Sequence, residues 1–161
     1  MPRSTDVPLQ TTLHVRDHCL CLYAQRAARA LARHFDEAFR PLDLTNGQFS
    51  LMMALNQPQP PPMGRIAAFL AMDRTTLTAA LKPLQRRGLV EVRPAHHDRR
   101  SRELLLTAAG RALLAKAVPI WTREHARVEA LMTPGAPAQV REALDGLARD
   151  LAAPAAARAA G

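Results

Sequence analysis

The chain has 161 residues, 48% of them hydrophobic and only 4% aromatic, with a formal net charge of +8 at pH 7. That length suits one domain with a real core, and abundant alanine in place of aromatic side chains favours closely packed helices over a sheet-rich core. No apolar run approaches the ~18 residues of a membrane span and the start MPRSTDVPLQ lacks the apolar block of a secretion signal, so a cytoplasmic protein with no membrane role is expected.

The cationic surplus is arginine except for Lys82 and Lys116. Planar guanidinium forks suit phosphate oxygens and guanine edges, which makes nucleic acid the leading partner. The two cysteines, Cys19 and Cys21, lie too close in sequence to close a long stabilising loop and are expected as free thiols.

From Thr12 to about Arg40 the apolar positions Leu20, Ala24, Ala27, Leu31, Phe35 and Ala38 recur every three or four residues, predicting one long helix that stops before Pro41. Thr45 and Gln48 then carry the T-x-x-Q pattern of a capping box. It opens a second helix through Met53 and Leu55, which the run QPQPPP, Gln57 to Pro62, brings to an end. A short helix from Met63 to about Leu70 follows, with Ile66, Ala67 and Leu70 on one side.

After the turn from Ala71, Asp73 suits the N-cap of a longer helix, with Met72 and Leu77 at the spacing of a hydrophobic staple and Gly88 available to end it in the left-handed conformation. A short helix, a tight turn and a longer helix make a helix-turn-helix. Pro83 lies inside the longer helix and removes one backbone hydrogen bond, which predicts a kink or a tightened last turn.

Beyond Gly88, LVEV (Leu89 to Val92) and LLLT (Leu104 to Thr107) read as two strands joined by AHHDRRSRE, Ala95 to Glu103, a polar tip with two histidines and three arginines. Thr107 then caps a helix from Ala108 to about Met132, interrupted by Pro119. The break TPGAP, Thr133 to Pro137, precedes a last helix from Ala138 to Leu151, and the tail is expected to fray. The expected fold is therefore mainly α with a small β-hairpin wing: a winged helix-turn-helix flanked by N- and C-terminal helices.

At 100° per residue, Leu77, Leu81 and Leu84 share one face of the longer helix while Thr75, Ala79, Lys82 and Arg86 point the other way, with Thr76 and Thr78 on the flanks. That outward face suits the major groove: hydroxyls near a helix N-terminus meet phosphates, the methyls of Thr75 and Ala79 meet thymine methyls, and Lys82 reaches guanine. Arg86 is placed for phosphate. An arginine-rich hairpin beside such a helix would enter the neighbouring minor groove, where negative potential is concentrated.

The order helix, helix, helix-turn-helix, wing, helix, helix resembles the MarR family of bacterial transcription regulators over essentially the whole chain. The residues carrying the resemblance are DRTTLTAALKPLQRRGLV, Asp73 to Val90, and the wing pattern D-R-R-S at Asp98 to Ser101 followed by L-T-x-x-G at Leu106, Thr107 and Gly110. It implies a homodimer, held by residues 12–42 and 108–152, whose two winged helix-turn-helix regions, residues 45–107, bind half-sites of a palindromic double-stranded operator. The implied DNA contacts are Arg74, Thr75, Thr76, Thr78, Ala79, Lys82, Arg86, Arg99 and Arg100. Arg100 corresponds to the family's wing-tip arginine and Asp98 to the carboxylate that braces it, while Arg99 and Arg102 suit phosphate or Glu103. His96 and His97 would add charge only at mildly acidic pH.

The same resemblance implies a repressor released by a small aromatic or phenolic ligand, with no cofactor. The ligand would bind near His18, Cys19, Arg26, Phe49, Met53, Trp121 and His125 and change the spacing of the two reading helices. Cys19, four residues before Tyr23, also resembles the reactive pair of the family's organic-peroxide-sensing branch, although that branch uses further tyrosines and Tyr23 is the only one here. A thiol-based redox sensor using Cys19 is thus the alternative signal.

A metal site is not expected. On a straight helix Cys19 and Cys21 point about 160° apart, which also bars a disulfide between them, and only His14, His18 and Cys21 share a face, without a fourth ligand. An enzyme is not expected either, because there is no phosphate-cradling glycine loop, H-E-x-x-H or G-x-S-x-G. A winged helix used for protein contacts is the remaining rival, and it would carry apolar residues where Thr75, Lys82 and Arg86 stand.

Overall fold

The computed structural model describes residues 6–95 and 101–152. Its elements are α1 (Leu9–His18), α2 (Leu20–Phe39), α3 (Asn46–Leu55), α4 (Met63–Phe69), α5 (Arg74–Arg86), β1 (Val90–Pro94), β2 (Arg102–Leu106), α6 (Ala108–Glu129) and α7 (Ala136–Ala152). The architecture is the mainly helical winged helix read from the pattern. No helix among the described residues is long and apolar enough to cross a membrane.

The first expected helix is two helices. Cys19 takes an extended conformation at φ −75° and ψ 103°, and its N–H closes α1 on the Val15 carbonyl at 3.0 Å while its Sγ accepts the Leu22 N–H at 3.4 Å to open α2. Periodicity missed this because the apolar spacing continues across the break. With the helix interrupted at Cys19, the geometry of a straight helix no longer relates Cys19 to Cys21, and His14, His18 and Cys21 no longer share one helix. His14 and His18 stack on each other at 4.3 Å instead.

The other boundaries follow local chemistry. Thr45 and Gln48 form the full capping box, with Gln48 N–H donating to Thr45 Oγ1 at 3.2 Å and Thr45 N–H to Gln48 Oε1 at 3.1 Å. Gly88, at φ 67°, ends α5 in a Schellman motif: its N–H reaches the Gln85 carbonyl and the Leu89 N–H reaches the Leu84 carbonyl, both at 2.9 Å. The turn after α4 closes the same way around Ala71, a non-glycine residue at φ 51°, so composition gave no sign of it. Neither Pro83 nor Pro119 stops its helix. Each costs one ladder bond, and buried neighbours, Leu81 and Leu84 for one and Ala117 for the other, hold the turn in place.

The core joins the helices to the hairpin. Phe35 and Phe39 of α2, Phe49 and Met52 of α3, Leu77, Leu81 and Leu84 of α5, Leu104 and Leu106 of β2, and Leu114 and Ala117 of α6 are all buried in one cluster. The two strands are antiparallel, with Val90 opposite Leu106 and Arg93 opposite Glu103. The proline run, read as a helix stop, also pairs with β2: Pro62 bridges Glu103, and the Leu104 N–H donates to the Pro61 carbonyl at 3.2 Å.

Helix α6 is fastened at both ends. Thr107 caps it by accepting the Gly110 N–H at 3.0 Å and donates its own proton to the Gly88 carbonyl at 2.7 Å. Gly110 lies so close to the Leu89 carbonyl that a Cβ there would sit 2.1 Å from the oxygen, which explains the threonine and glycine of L-T-x-x-G. Further along, the buried Glu124 carboxylate meets Arg123, Arg127 and, at 3.2 Å, His34 of α2. The Arg123 hydrogen bond first, then Arg127, hold it below the usual carboxylate range.

Candidate nucleic-acid interface

The helix-turn-helix presents one face of α5 to solvent. Leu77, Leu81 and Leu84 pack into the core, and Arg74, Thr75, Thr76, Thr78, Ala79, Lys82 and Arg86 are all exposed. Arg74, Thr75, Thr78, Ala79 and Lys82 line a shallow groove of about 290 Å³. The Arg74 guanidinium lies over the start of α4, 3.7 Å from the position a Cβ on Gly64 would occupy. Arg65, the next residue, is exposed and adds a charge that no pattern in the sequence marks, because its place beside α5 comes only with folding.

The threonines differ in what they can donate. Asp73 accepts the Thr76 N–H at 2.7 Å and the Thr76 hydroxyl at 3.0 Å, so it caps the helix and engages the Thr76 proton. These bonds, the backbone one foremost, hold the Asp73 carboxyl below its ordinary value. Thr78 donates to the Arg74 carbonyl at 2.7 Å. Thr75 therefore keeps the hydroxyl best placed to donate outward, at the positive end of the helix.

The hairpin stem stands beside this surface. Arg93 pairs with Glu103 across the strands at 3.5 Å, so among the described residues the partner of Glu103 is the one directly opposite it, while Arg102 is exposed opposite Pro94. The expected wing-tip residues His96, His97, Asp98, Arg99 and Arg100 lie outside the described residues.

An apolar cavity of about 700 Å³ lies behind the reading surface, between Phe49 and Met53 of α3, Phe69 and Leu70 at the end of α4, and Val118 and Trp121 of α6. Phe49, Trp121 and His125 form a continuous ring stack, with centroids 6.4 Å and 4.5 Å apart. Three of the seven expected ligand-pocket residues, Phe49, Met53 and Trp121, line the cavity, and His125 is not among its lining residues but stacks on Trp121. His18, Cys19 and Arg26, on α1, the break and α2, do not line this cavity. Phe69, 75% exposed at the end of α4, was missed because it follows no pattern in the sequence; its importance comes from the neighbours that folding supplies.

Residues 44–101 match the MarR family profile. Over the whole fold, the chain is similar to the M. tuberculosis transcriptional regulator MosR solved in complex with DNA, at 39% identity and a TM-score of 0.74, covering 82% of this chain and 95% of that one. The chain belongs to the MarR family. The chain is also similar to two further regulators. The transcriptional repressor CouR, solved bound to p-coumaroyl-CoA, is 28% identical with a TM-score of 0.73, covering 84% of this chain and 96% of that one. The organic hydroperoxide resistance transcriptional regulator of Bacillus subtilis is 28% identical over 102 residues, which is 63% of this chain and 68% of that protein. As a MarR-family member the protein is a transcriptional regulator, and its relatives are regulators, not enzymes.

Proposed function

We propose that this regulator is a repressor that binds a palindromic double-stranded operator as a homodimer and releases it when a small aromatic ligand enters the cavity behind its helix-turn-helix. The observation that carries the DNA reading is the α5 face: a row of exposed small, hydroxyl and cationic side chains backed by three buried leucines. Thr75, Ala79 and Lys82 read bases, Arg74, Arg86, Arg99 and Arg102 hold phosphates, and Arg100, braced by Asp98, enters the minor groove. Residues 45–107 form the reading unit, and residues 12–42 and 108–152 the dimer region.

The cavity supports the ligand reading because it touches α6 on one side and the last turn of α4 on the other. A planar ring against Phe49 and Trp121 would push on Phe69 and Leu70, and through the turn at Ala71 displace α5. The CouR ligand carries an aromatic group of that kind. Fluorescence anisotropy on DNA upstream of the protein's own gene, against a scrambled duplex over a salt series, tests the operator reading. A specificity ratio on the order of a thousand and a steep salt dependence are expected, whereas equal weak binding to both duplexes would contradict it.

A second signal is favoured by Cys19, whose half-buried Sγ sits at the α1–α2 break and caps α2. A thiolate there would attack an organic hydroperoxide, forming a sulfenic acid and releasing the alcohol, and so alter the cap. Under this reading peroxide weakens DNA binding of the wild type, reductant restores it, and Cys19→Ser is insensitive. An equal response of Cys19→Ser excludes it.

A further inference from the structure

The arginines of this chain divide by what they face. Arg16 of α1, Arg93 of β1, Arg123 and Arg127 of α6, and Arg141 and Arg149 of α7 each lie within ion-pair distance of a carboxylate. Among the described residues, those of the helix-turn-helix surface have none, as expected where phosphate is the counter-ion. Among the described residues Arg102 and Arg111 also lack one, Arg111 donating to the Leu106 carbonyl instead, and so do three arginines in succession along α2: Arg26, Arg29 and Arg33.

These three fall within about 60° of one another on the helix, on the side away from Phe35 and Phe39. With Tyr23 they line an open groove of about 510 Å³. Two of the guanidinium groups are held in place: Arg26 stands 5.8 Å from the Tyr23 ring centroid, and Arg29 donates to Gln25 Oε1 at 3.0 Å while Gln25 donates to Cys21 Sγ at 3.1 Å. The apolar face of the same helix, Leu20, Ala24 and Leu31, points the opposite way. A second copy seated on that face would leave the arginine side open.

The site is remote from the reading surface. The turn after α2 is tied to the far end of α5 by Arg87, which donates to the Leu42 carbonyl at 3.3 Å and to the Asp43 carbonyl. From that end the stripe runs away along α2, Arg33 about 9 Å and Arg26 about 20 Å before Phe39 at 1.5 Å per residue.

We propose that Arg26, Arg29 and Arg33 form a binding site for a small ligand with linked phosphates and a planar ring, of the nucleoside diphosphate class. The stripe spans about 10 Å along the helix, too long for one phosphate and suited to two in series, each taken by a guanidinium fork. Tyr23, one turn further, offers the open part of its ring to a base. This site is separate from the apolar cavity and does not rest on the ligand reading above.

Calorimetric titration of the full chain with ADP, adenosine and inorganic phosphate at about 0.1 M salt tests it. ADP is expected to bind at least about tenfold more tightly than either fragment, Arg29→Gln/Arg33→Gln to weaken ADP about tenfold or more, and Arg29→Lys/Arg33→Lys to recover part of the loss. DNA affinity and its salt dependence should be unchanged in the glutamine variant. The proposal is overturned if ADP binds no better than phosphate, or if the glutamine variant binds ADP as the wild type does. It is also overturned if that variant loses DNA affinity with a shallower salt slope, which would make DNA the occupant, or sediments as a smaller species, which would make it a second copy.

Discussion

Gly110 shows how much one missing atom can decide. Its Cα faces the Leu89 carbonyl so closely that alanine would place a methyl 2.1 Å from the oxygen, and that oxygen is backbone in the last turn before β1. Gly110→Ala should therefore cost about 3 kcal/mol, the upper end for overpacking, and lower Tm by roughly 6–12 °C in a chain of this size. An unchanged Tm would mean that α6 can move away freely. Asp73 works through charge instead. Its folded pKa is depressed by the Thr76 bonds, so its stabilisation is present above the unfolded carboxylate value and is lost as pH falls through the folded one. Wild type should be more stable than Asp73→Ala at pH 7, and the gap between their denaturant midpoints should shrink only as pH falls past the ordinary carboxylate range and through the depressed folded value.

At the scale of the element, the proposed operator binding assigns different labour to α5 and to the hairpin. Lys82 stands in the groove with Thr75 and Ala79, where base edges would lie, whereas a wing arginine senses minor-groove potential common to many sequences. Lys82→Ala should change the preference among operator variants, and Arg100→Ala should weaken binding to all of them by a similar factor. Competition assays on a small set of base-substituted duplexes would decide, and uniform losses from both variants would refute the division. The elements also show where local reading reaches its limit. Caps at Thr45, Asp73 and Thr107 were legible because a cap is made within four residues, and Gly88 because only glycine takes its φ readily. The break at Cys19 and the left-handed Ala71 were not, since neither residue type marks such a conformation.

For the whole molecule the exposed apolar side chains are decisive. Val140, Leu144 and Leu147 line one face of α7, and Leu9, Val15 and Leu20 stand out on the N-terminal helices, although the chain itself covers none of them. Exposed apolar side chains at both ends of the chain, in a row along α7, fit burial in a dimer. Leu144→Glu/Leu147→Glu should shift the sedimenting species to monomer and reduce operator affinity by at least about tenfold, because two half-sites bound independently lose the effective concentration of linkage. A dimer that persists in this variant would place the interface elsewhere.

The amino-acid sequence by itself determined the order of the elements from α3 onward, the caps, the hairpin and the outward face of α5, because each rests on spacing within a few turns of chain. Tertiary structure alone decided which side chains meet. It gathered Phe49, Met53 and Trp121 around one cavity with Phe69 while leaving Cys19 and Arg26 outside it, and it paired Arg93 with Glu103 and β2 with the proline run. It also gave carboxylate partners to Arg16, Arg93, Arg123, Arg127, Arg141 and Arg149 and none to Arg26, Arg29 and Arg33. Periodicity reports the direction a side chain takes from its own helix, but the distance between two helices depends on the packing of everything between them.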